Sequence, residues 1–364
     1  MRHPLHSICP YFAMFPEGFV AEQLYAYTRP DDVVLDPFCG RGTTVLESLL
    51  NNRQGLGTDI NPVAACIAGA KANVPALKSV LARIGELAGD FGKQTYRELP
   101  PTEFFEHCFH QDTYAEVAFL RGILSWRRSS VDRFIAAVML GILHGESHRS
   151  GMYLSNRMPR TISTKPDYSV RWWRERGLRP PRRETFEVLR QAARFRFSQP
   201  PPTRKGHVVL TDARRCARVL RKHEGSVALV VTSPPYIDTT DYAEDQWLRM
   251  WFLGGEPKPM LRLHKDDRHT SAENYWSFLE DVWRGCAPLL RDKARIVVRI
   301  GGTKLDKPVL LQGLRGSLVQ GLGGRTVRAL NQGTSSQIAK RQTNSFRPGT
   351  SPDRLEHDFT FSIS

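Results

Sequence analysis

Three short stretches hold residues whose types and spacing could do chemistry. Thr232 to Tyr236 reads TSPPY. Two consecutive prolines fix φ and remove two N–H donors, so the carbonyls of Ser233 and Pro234 are free to point away from their own backbone. With the Ser233 hydroxyl and the Tyr236 ring, the turn offers acceptors beside an aromatic face, the parts needed to hold an amino group on a flat ring. Read alone, it is equally a Pro-Pro turn that closes a core strand. Asp36 to Thr44 reads DPFCGRGTT. Gly40 and Gly42 let backbone approach a ligand closely, a helix starting near Thr43 points unpaired N–H groups at it, and Asp36 puts an anion at the same spot. A phosphate cradle would want a lysine and no carboxylate, and the Gly-Lys-Ser/Thr of a P-loop is missing, so a ligand with an ammonium group fits better than a nucleoside triphosphate. Asp59 ends the next strand-like stretch, where an acid in a doubly wound sheet hydrogen-bonds ribose hydroxyls. Alone, it reads equally as a helix N-cap.

Each of these residues needs a strand to carry it. Ser226 to Val231, SVALVV, has no alternation and reads as a strand buried on both faces, stopped by the prolines. Val33 to Leu50 reads strand, turn, helix, and Gln54 to Ile60 reads as a second strand ending in Asp59. HVVLTDARR supplies a third, with Asp212 at its end, and Lys293 to Gly302, KARIVVRIGG, another buried one. TVRAL and HDFTFSI read as closing strands, with Asn331 to Thr350 a polar, mobile loop between them. Ahead of the sheet, Cys9 to Phe19 is apolar and aromatic, and Pro16 is placed to open a helix that buries Phe19, Val20, Leu24 and Tyr27. From about Pro75 to Gly206 the pattern turns helical, over Leu77–Phe91, Tyr114–Trp126 and Val131–His144. The expected organisation is therefore an α/β sheet in two halves, 1–75 and 206–364, interrupted by a largely helical, basic insertion, 76–205. Ligands of such a sheet bind at the carboxyl ends of its strands.

The 364 residues carry a formal charge of +15, which favours a polyanionic partner, nucleic acid before a membrane surface. Residues 149–205 hold 15 Lys/Arg against 4 Asp/Glu, about +11 of that total, interleaved with Tyr153, Tyr168, Trp172 and Trp173. A solvated basic face would show the same charge. Its concentration among aromatics makes Arg157, Arg160, Trp172, Arg179, Arg182 and Arg183 the candidate nucleic-acid contacts. The longest apolar run, Phe134 to Leu143, is about half the ~20 residues a bilayer span requires and reads as a buried helix. The amino terminus lacks an apolar signal core and the six cysteines form no CxxC pair, so reduced thiols, a cytoplasmic location and no disulfide frame are expected. His144 and His148 flank Glu146 at helical spacing without a visible third ligand, and no metal is expected.

TSPPY resembles the (Asp, Asn or Ser)-Pro-Pro-(Tyr or Phe) tetrapeptide of the DNA methyltransferases that modify exocyclic amino groups, and DPFCGRGTT resembles their Asp-Pro-Phe-x-Gly-x-Gly-Thr-Thr loop. The order of cofactor loop, insertion and catalytic turn matches that family's alpha arrangement, and the likeness covers about residues 9–75 and 206–364. It implies a Rossmann-like sheet dependent on S-adenosylmethionine, with Asp36, Phe38, Gly40, Gly42 and Thr43 about the amino-acid end, Ala13 and Phe15 over the methionine, Asp59 on the ribose and Asp212 by the adenine. Arg41 departs from the small residue common there and reaches either the cofactor or solvent. Cys39 is tolerated in the family and reads as packing. Ser233, Pro234, Pro235 and Tyr236 would form the catalytic turn, and the insertion would recognise the target.

The resemblance further implies base flipping and direct methyl transfer within double-stranded DNA, in a restriction-modification setting where a separately encoded endonuclease could be the counterpart. Serine in the first position is more similar to the cytosine-N4 enzymes than to the adenine-N6 ones. An adenine-N6 enzyme, an RNA amino methyltransferase and a catalytically silent nucleic-acid binder on the same fold are the other readings. Methylation of a ring carbon would need a nucleophilic cysteine after a proline, absent at this turn. Dehydrogenase use is disfavoured by the incomplete GxGxxG.

Overall fold

Five strands, most of them short and rich in apolar residues, make the parallel part of one sheet. The computed structural model describes residues 2–11, 16–95, 97–145, 153–158, 165–237, 246–259, 271–301, 305–337 and 355–364. Ala13, Phe15, Arg160 and His148 lie outside the described residues. The strands are β1 (Val33–Asp36), β2 (Gln54–Asp59), β3 (His207–Leu210), β4 (Val227–Thr232), β5 (Leu290–Gly301), β6 (Val327–Ala329), β7 (Thr334–Gln337) and β8 (Leu355–Ile363). They lie in the order β3-β2-β1-β4-β5-β8-β6, with β7 paired to β8 off this path. β1 to β5 are mutually parallel, whereas β8 enters antiparallel to both β5 and β6. This is an open, Rossmann-like sheet. Its winding reverses between β1 and β4, the switch point at which ligands of open α/β sheets bind.

The Val-rich run of β4 is buried along its whole length. Successive side chains of a strand face opposite ways, and the core divides accordingly. Val34, Leu229, Val231 and Val297 meet Val20 and Leu24 of α1 (Glu17–Tyr27). Leu35, Val230, Ile296 and Val298 join the other cluster, with Tyr275, Leu279 and Trp283 of one helix (Ala272–Cys286) and Leu310, Leu314 and Leu318 of another (Lys307–Gly321). Part of the expected Asn331–Thr350 loop is strand β7, registered Thr334↔Asp358 to Gln337↔Leu355. Its sequence, TSSQ, lacks the apolar alternation that marks a half-buried strand, so only its pairing with β8 reveals it.

The chain divides into two compact units. The sheet unit takes residues 13–60, 204–240 and 263–364. The helical unit takes 1–12, 61–203 and 241–262. It contains α3 (Pro62–Ala72), α4 (Leu77–Gly92), α5 (Glu103–Cys108), α6 (Gln111–Ile123), α7 (Ser130–Ile142), α8 (Pro166–Glu175), α9 (Thr185–Arg196) and a short helix Trp247–Phe252. That last helix is drawn in by its aromatics: the Trp247 ring lies 4.9 Å from Phe104, and Trp251 lies 4.6 Å from Phe105. All six cysteines are buried, and none is in a disulfide. Among the described residues no helix is long and apolar enough to cross a membrane.

Candidate cofactor and catalytic site

The glycine loop leaves β1 at Asp36 and turns into α2 (Thr43–Leu50). Gly40 and Gly42 have φ of +49° and +76°, a left-handed region that suits glycine, and Gly42 caps α2. The Cys39 N–H donates to the Thr58 carbonyl at 3.0 Å, and the Gly42 N–H to the Cys39 carbonyl at 2.6 Å. β2 can lie this close because its residue 57 is glycine: a Cβ there would meet Cys39 Cβ at 2.9 Å. Buried Cys39 therefore serves packing, as its type suggested.

Asp36 is buried, and the donors that reach it are neutral. The Thr232 hydroxyl donates to Oδ1 at 2.7 Å and the Phe38 N–H to the same oxygen at 3.1 Å. Burial pushes its pKa up to about 7, against the opposing hydrogen bonds from Thr232, Thr44 and the Phe38 amide. Asp59 Oδ2 accepts the Gly40 N–H at 2.9 Å, which ties the end of β2 to the loop. The cap of the following helix is Asn61, whose side chain accepts from the Val63 N–H. Phe38 packs against the Phe278 ring at 6.0 Å.

Asp212 lies just past β3, whose Leu210 is level with Asp59. Its carboxylate accepts the Arg214 N–H at 2.9 Å and binds the Arg214 guanidinium through two further bonds, at 3.0 and 2.7 Å. The structure thus gives it a capping and ion-pair task, and the Asp-x-Arg spacing was the signal for that. Arg41 points neither to solvent nor into an open loop. It is buried and paired with Glu17 of α1 at 3.1 Å, a partner the sequence reading missed.

The TSPPY turn continues directly from β4. Thr232, its first residue, makes the bond to Asp36, so the ends of β1 and β4 are joined at the switch point. Tyr236 packs against the sheet core, and its hydroxyl donates to Glu356 Oε1 of β8 at 2.8 Å. Glu356 carried no motif. β8 brings it alongside, where it pairs in register with Gly301 at the end of β5.

In the helical unit, Arg157 and Arg179 are exposed. Trp172 is half-buried, with the Arg176 guanidinium 4.7 Å from its ring centre. Arg182 is engaged internally, bound to the buried Glu116 at 2.7 Å and to Glu184 at 3.2 Å. The Arg183 backbone N–H donates to the Thr113 hydroxyl at 2.9 Å. Buried His144 has its pKa lowered by desolvation and by nearby Arg249. No group of three His, Cys, Asp or Glu among the described residues could hold a metal.

The sheet order, the glycine loop and the Pro-Pro turn belong to one Rossmann-like unit. Residues 3–68 match a family model described as DNA methylase, that of the N6/N4 enzymes. The chain is similar to the Type II methyltransferase M.BsoBI of Geobacillus stearothermophilus, 23% identical over 289 residues, 71% of this chain and 55% of that one. It is also similar to the orphan methyltransferase M.BamHII of Bacillus amyloliquefaciens, 41% identical over 49 residues, 14% of this chain and 18% of that one. The solved rRNA methyltransferase aviRa from Streptomyces viridochromogenes aligns over 99% of this chain and 90% of that one, at 13% identity and a TM-score of 0.37, too distant to carry an argument. The likeness to the N6/N4 DNA methylases covers residues 3–68, and Type II methyltransferases are distant relatives. It spans about half the length of M.BsoBI and less of M.BamHII.

The DNA methylase match over residues 3–68 implies S-adenosylmethionine as cofactor. The residues present fit it. Asp36 is a desolvated carboxylate with only neutral donors in reach, which an ammonium group would complete. The first N–H groups of α2 lie past two left-handed glycines, a setting that suits a ligand carboxylate.

Proposed function

We propose that this chain is an S-adenosylmethionine-dependent DNA methyltransferase that modifies the exocyclic amino group, N4, of cytosine within a specific sequence. The observation that carries the reading is the Thr232–Asp36 bond of 2.7 Å. It puts a turn rich in acceptors and an acid in want of a cation side by side at one sheet edge. In this reading Asp36 takes the cofactor's ammonium, the loop through Phe38, Gly40, Gly42 and Thr43 its carboxylate end, Asp59 its ribose and Asp212 its adenine, with Ala13 and Phe15 along the methionine.

Bound S-adenosylmethionine supplies a methyl group activated by its sulfonium. The chain's task is to align the acceptor. An aromatic amine delocalises its lone pair into the ring, so attack requires that nitrogen held nearer tetrahedral and in line. The Ser233 hydroxyl and Pro234 carbonyl accept its N–H groups, Pro235 stiffens the turn, and Tyr236 stacks on the ring. The target leaves the duplex stack at a cost of a few kcal/mol, offset by that stacking and by backbone contacts. Arg157, Arg160, Trp172 and Arg179 are the proposed DNA contacts of the helical unit, with Arg183 beside them and Arg182 tied to Glu116. Serine at the head of the turn favours cytosine. The relatives are named both Type II and orphan, which leaves a cognate endonuclease outside the proposal.

Incubation with labelled cofactor and separate DNA and RNA pools, followed by nucleoside mass spectrometry, tests this. The expected product is N4-methylcytosine in DNA. N6-methyladenine as sole product would overturn the choice of base, and label in RNA alone would overturn the choice of DNA.

A further inference from the structure

A serine hydroxyl carries one hydrogen and two acceptor lone pairs, so Ser233 can receive an amino N–H only if its own hydrogen points elsewhere. Ser233 Oγ lies 3.5 Å from Tyr236 Oη, the outer limit of a hydrogen bond, and Tyr236 Oη in turn donates to Glu356 Oε1 at 2.8 Å. A phenol has one hydrogen to give. Glu356 therefore takes the phenol's single hydrogen and leaves the phenol oxygen as an acceptor toward Ser233. The chain then has one direction, Ser233 to Tyr236 to Glu356, and chains of this kind polarise one another.

Glu356 is firmly seated for such a task. β5 and β8 run so close at Gly301 that a Cβ there would meet the Leu355 carbonyl at 2.5 Å and Glu356 Cα at 3.2 Å. Arg299, level with Asp358, grips it through two bonds of 2.6 and 2.7 Å and keeps Nη1 within 3.9 Å of the other Glu356 oxygen. The Arg299 guanidinium also covers the Phe19 ring at 3.9 Å.

We propose that Glu356 is a positioning residue of the catalytic turn: by accepting the Tyr236 hydroxyl, it orients the Ser233–Tyr236–Glu356 chain so that Ser233 presents a lone pair to the target amino group. The inference rests on the methyltransferase reading above, and gives Tyr236 a second task besides stacking. It also explains why a tyrosine, with its hydroxyl, has use here beyond the ring of a phenylalanine.

Steady-state methylation of DNA by the full chain tests it, with Tyr236→Phe, Glu356→Leu, Glu356→Gln and the double variant Tyr236→Phe/Glu356→Leu. Tyr236→Phe keeps the ring and should lower kcat about tenfold, the worth of one hydrogen bond, with KM for DNA within about twofold. Glu356→Leu should do the same, and Glu356→Gln, which retains a carbonyl acceptor, should recover most of the rate. Because Glu356 acts through the phenol, the double variant should be no slower than Tyr236→Phe. Wild-type turnover in Tyr236→Phe, or losses that multiply in the double variant, would overturn the inference. Tyr236→Phe decides alone if Glu356→Leu does not fold. A wild-type chain that methylates no nucleic acid would sink the functional reading itself, and that result needs no variant to be seen.

Discussion

Two buried carboxylates, one in each unit, meet opposite treatment. Glu116 in the helical unit accepts the Arg182 guanidinium at 2.7 and 3.2 Å and the Thr185 N–H at 2.9 Å. Asp36 at the sheet edge accepts from threonine hydroxyls and an amide, with no cation paired to it among the described residues. A buried charge that is paired and hydrogen-bonded is finished structure, whereas one without a counter-ion pushes its own pKa toward neutrality. The contrast separates an acid paired within its unit from one left without a counter-ion among the described residues, and it does so by partners and burial alone.

The largest effect should come from Asp36→Asn. Removal of one partner from a desolvated ion pair weakens binding by several kcal/mol, so calorimetry should show cofactor affinity down at least about 100-fold. Stability should move the other way. Asp36 ionises less readily in the folded chain, at about 7, than at its ordinary 3.8. Its contribution to stability is therefore full below about pH 4 and is lost as pH rises through about 7, a linkage on the order of 4 kcal/mol. The cofactor-free variant should melt higher than the wild type at pH 8. A variant that keeps its cofactor affinity, or that melts lower at pH 8, would erase the contrast with Glu116.

Arg182→Ala is the converse experiment. It leaves Glu116 buried without its cation, and because the Arg182 side chain is 31% exposed the loss should be about 2 kcal/mol rather than the full cost of a buried pair. Chemical denaturation should register it while cofactor affinity stays put.

A gentler probe is pH itself. On the proposal that the cofactor's ammonium pairs with ionised Asp36, affinity should rise about tenfold per unit as pH climbs toward 7 and decline again near pH 8, where an ordinary α-amino group loses its proton. Asp36→Asn should lack the lower limb. A flat profile in the wild type would mean that another group receives the ammonium.

The unpaired acid was legible in the sequence, and the paired one was not. Asp36, Gly40 and Gly42 lie within a few residues of one another, as do Ser233 and the two prolines, and each spacing dictates its local backbone. The β2 strand ends at Asp59 as expected for the same reason. Partnerships across the chain left no such trace. Arg182 finds Glu116 at a separation of 66 residues and Tyr236 finds Glu356 at 120, and only packing in the helical unit and the antiparallel entry of β8 bring them together. A charge count over residues 149–205 treats every arginine alike, whereas folding spends some of them internally.

That last difference yields the smallest and most discriminating prediction. Arg179 is exposed and Arg182 is bound to Glu116, although both belong to the same basic run. Removing a cation that neutralises one phosphate of B-DNA reduces the slope of log affinity against log salt by about 1 and weakens binding to all sequences alike. Arg179→Ala should show this signature in titrations at several salt concentrations, with the melting temperature unchanged. Arg182→Ala should melt lower, and at a temperature where it remains folded its salt slope should match the wild type. If the two variants exchange behaviours, the Arg182–Glu116 pair opens to engage DNA and the paired acid is no mere scaffold. If neither changes the slope, phosphate recognition lies with other cations.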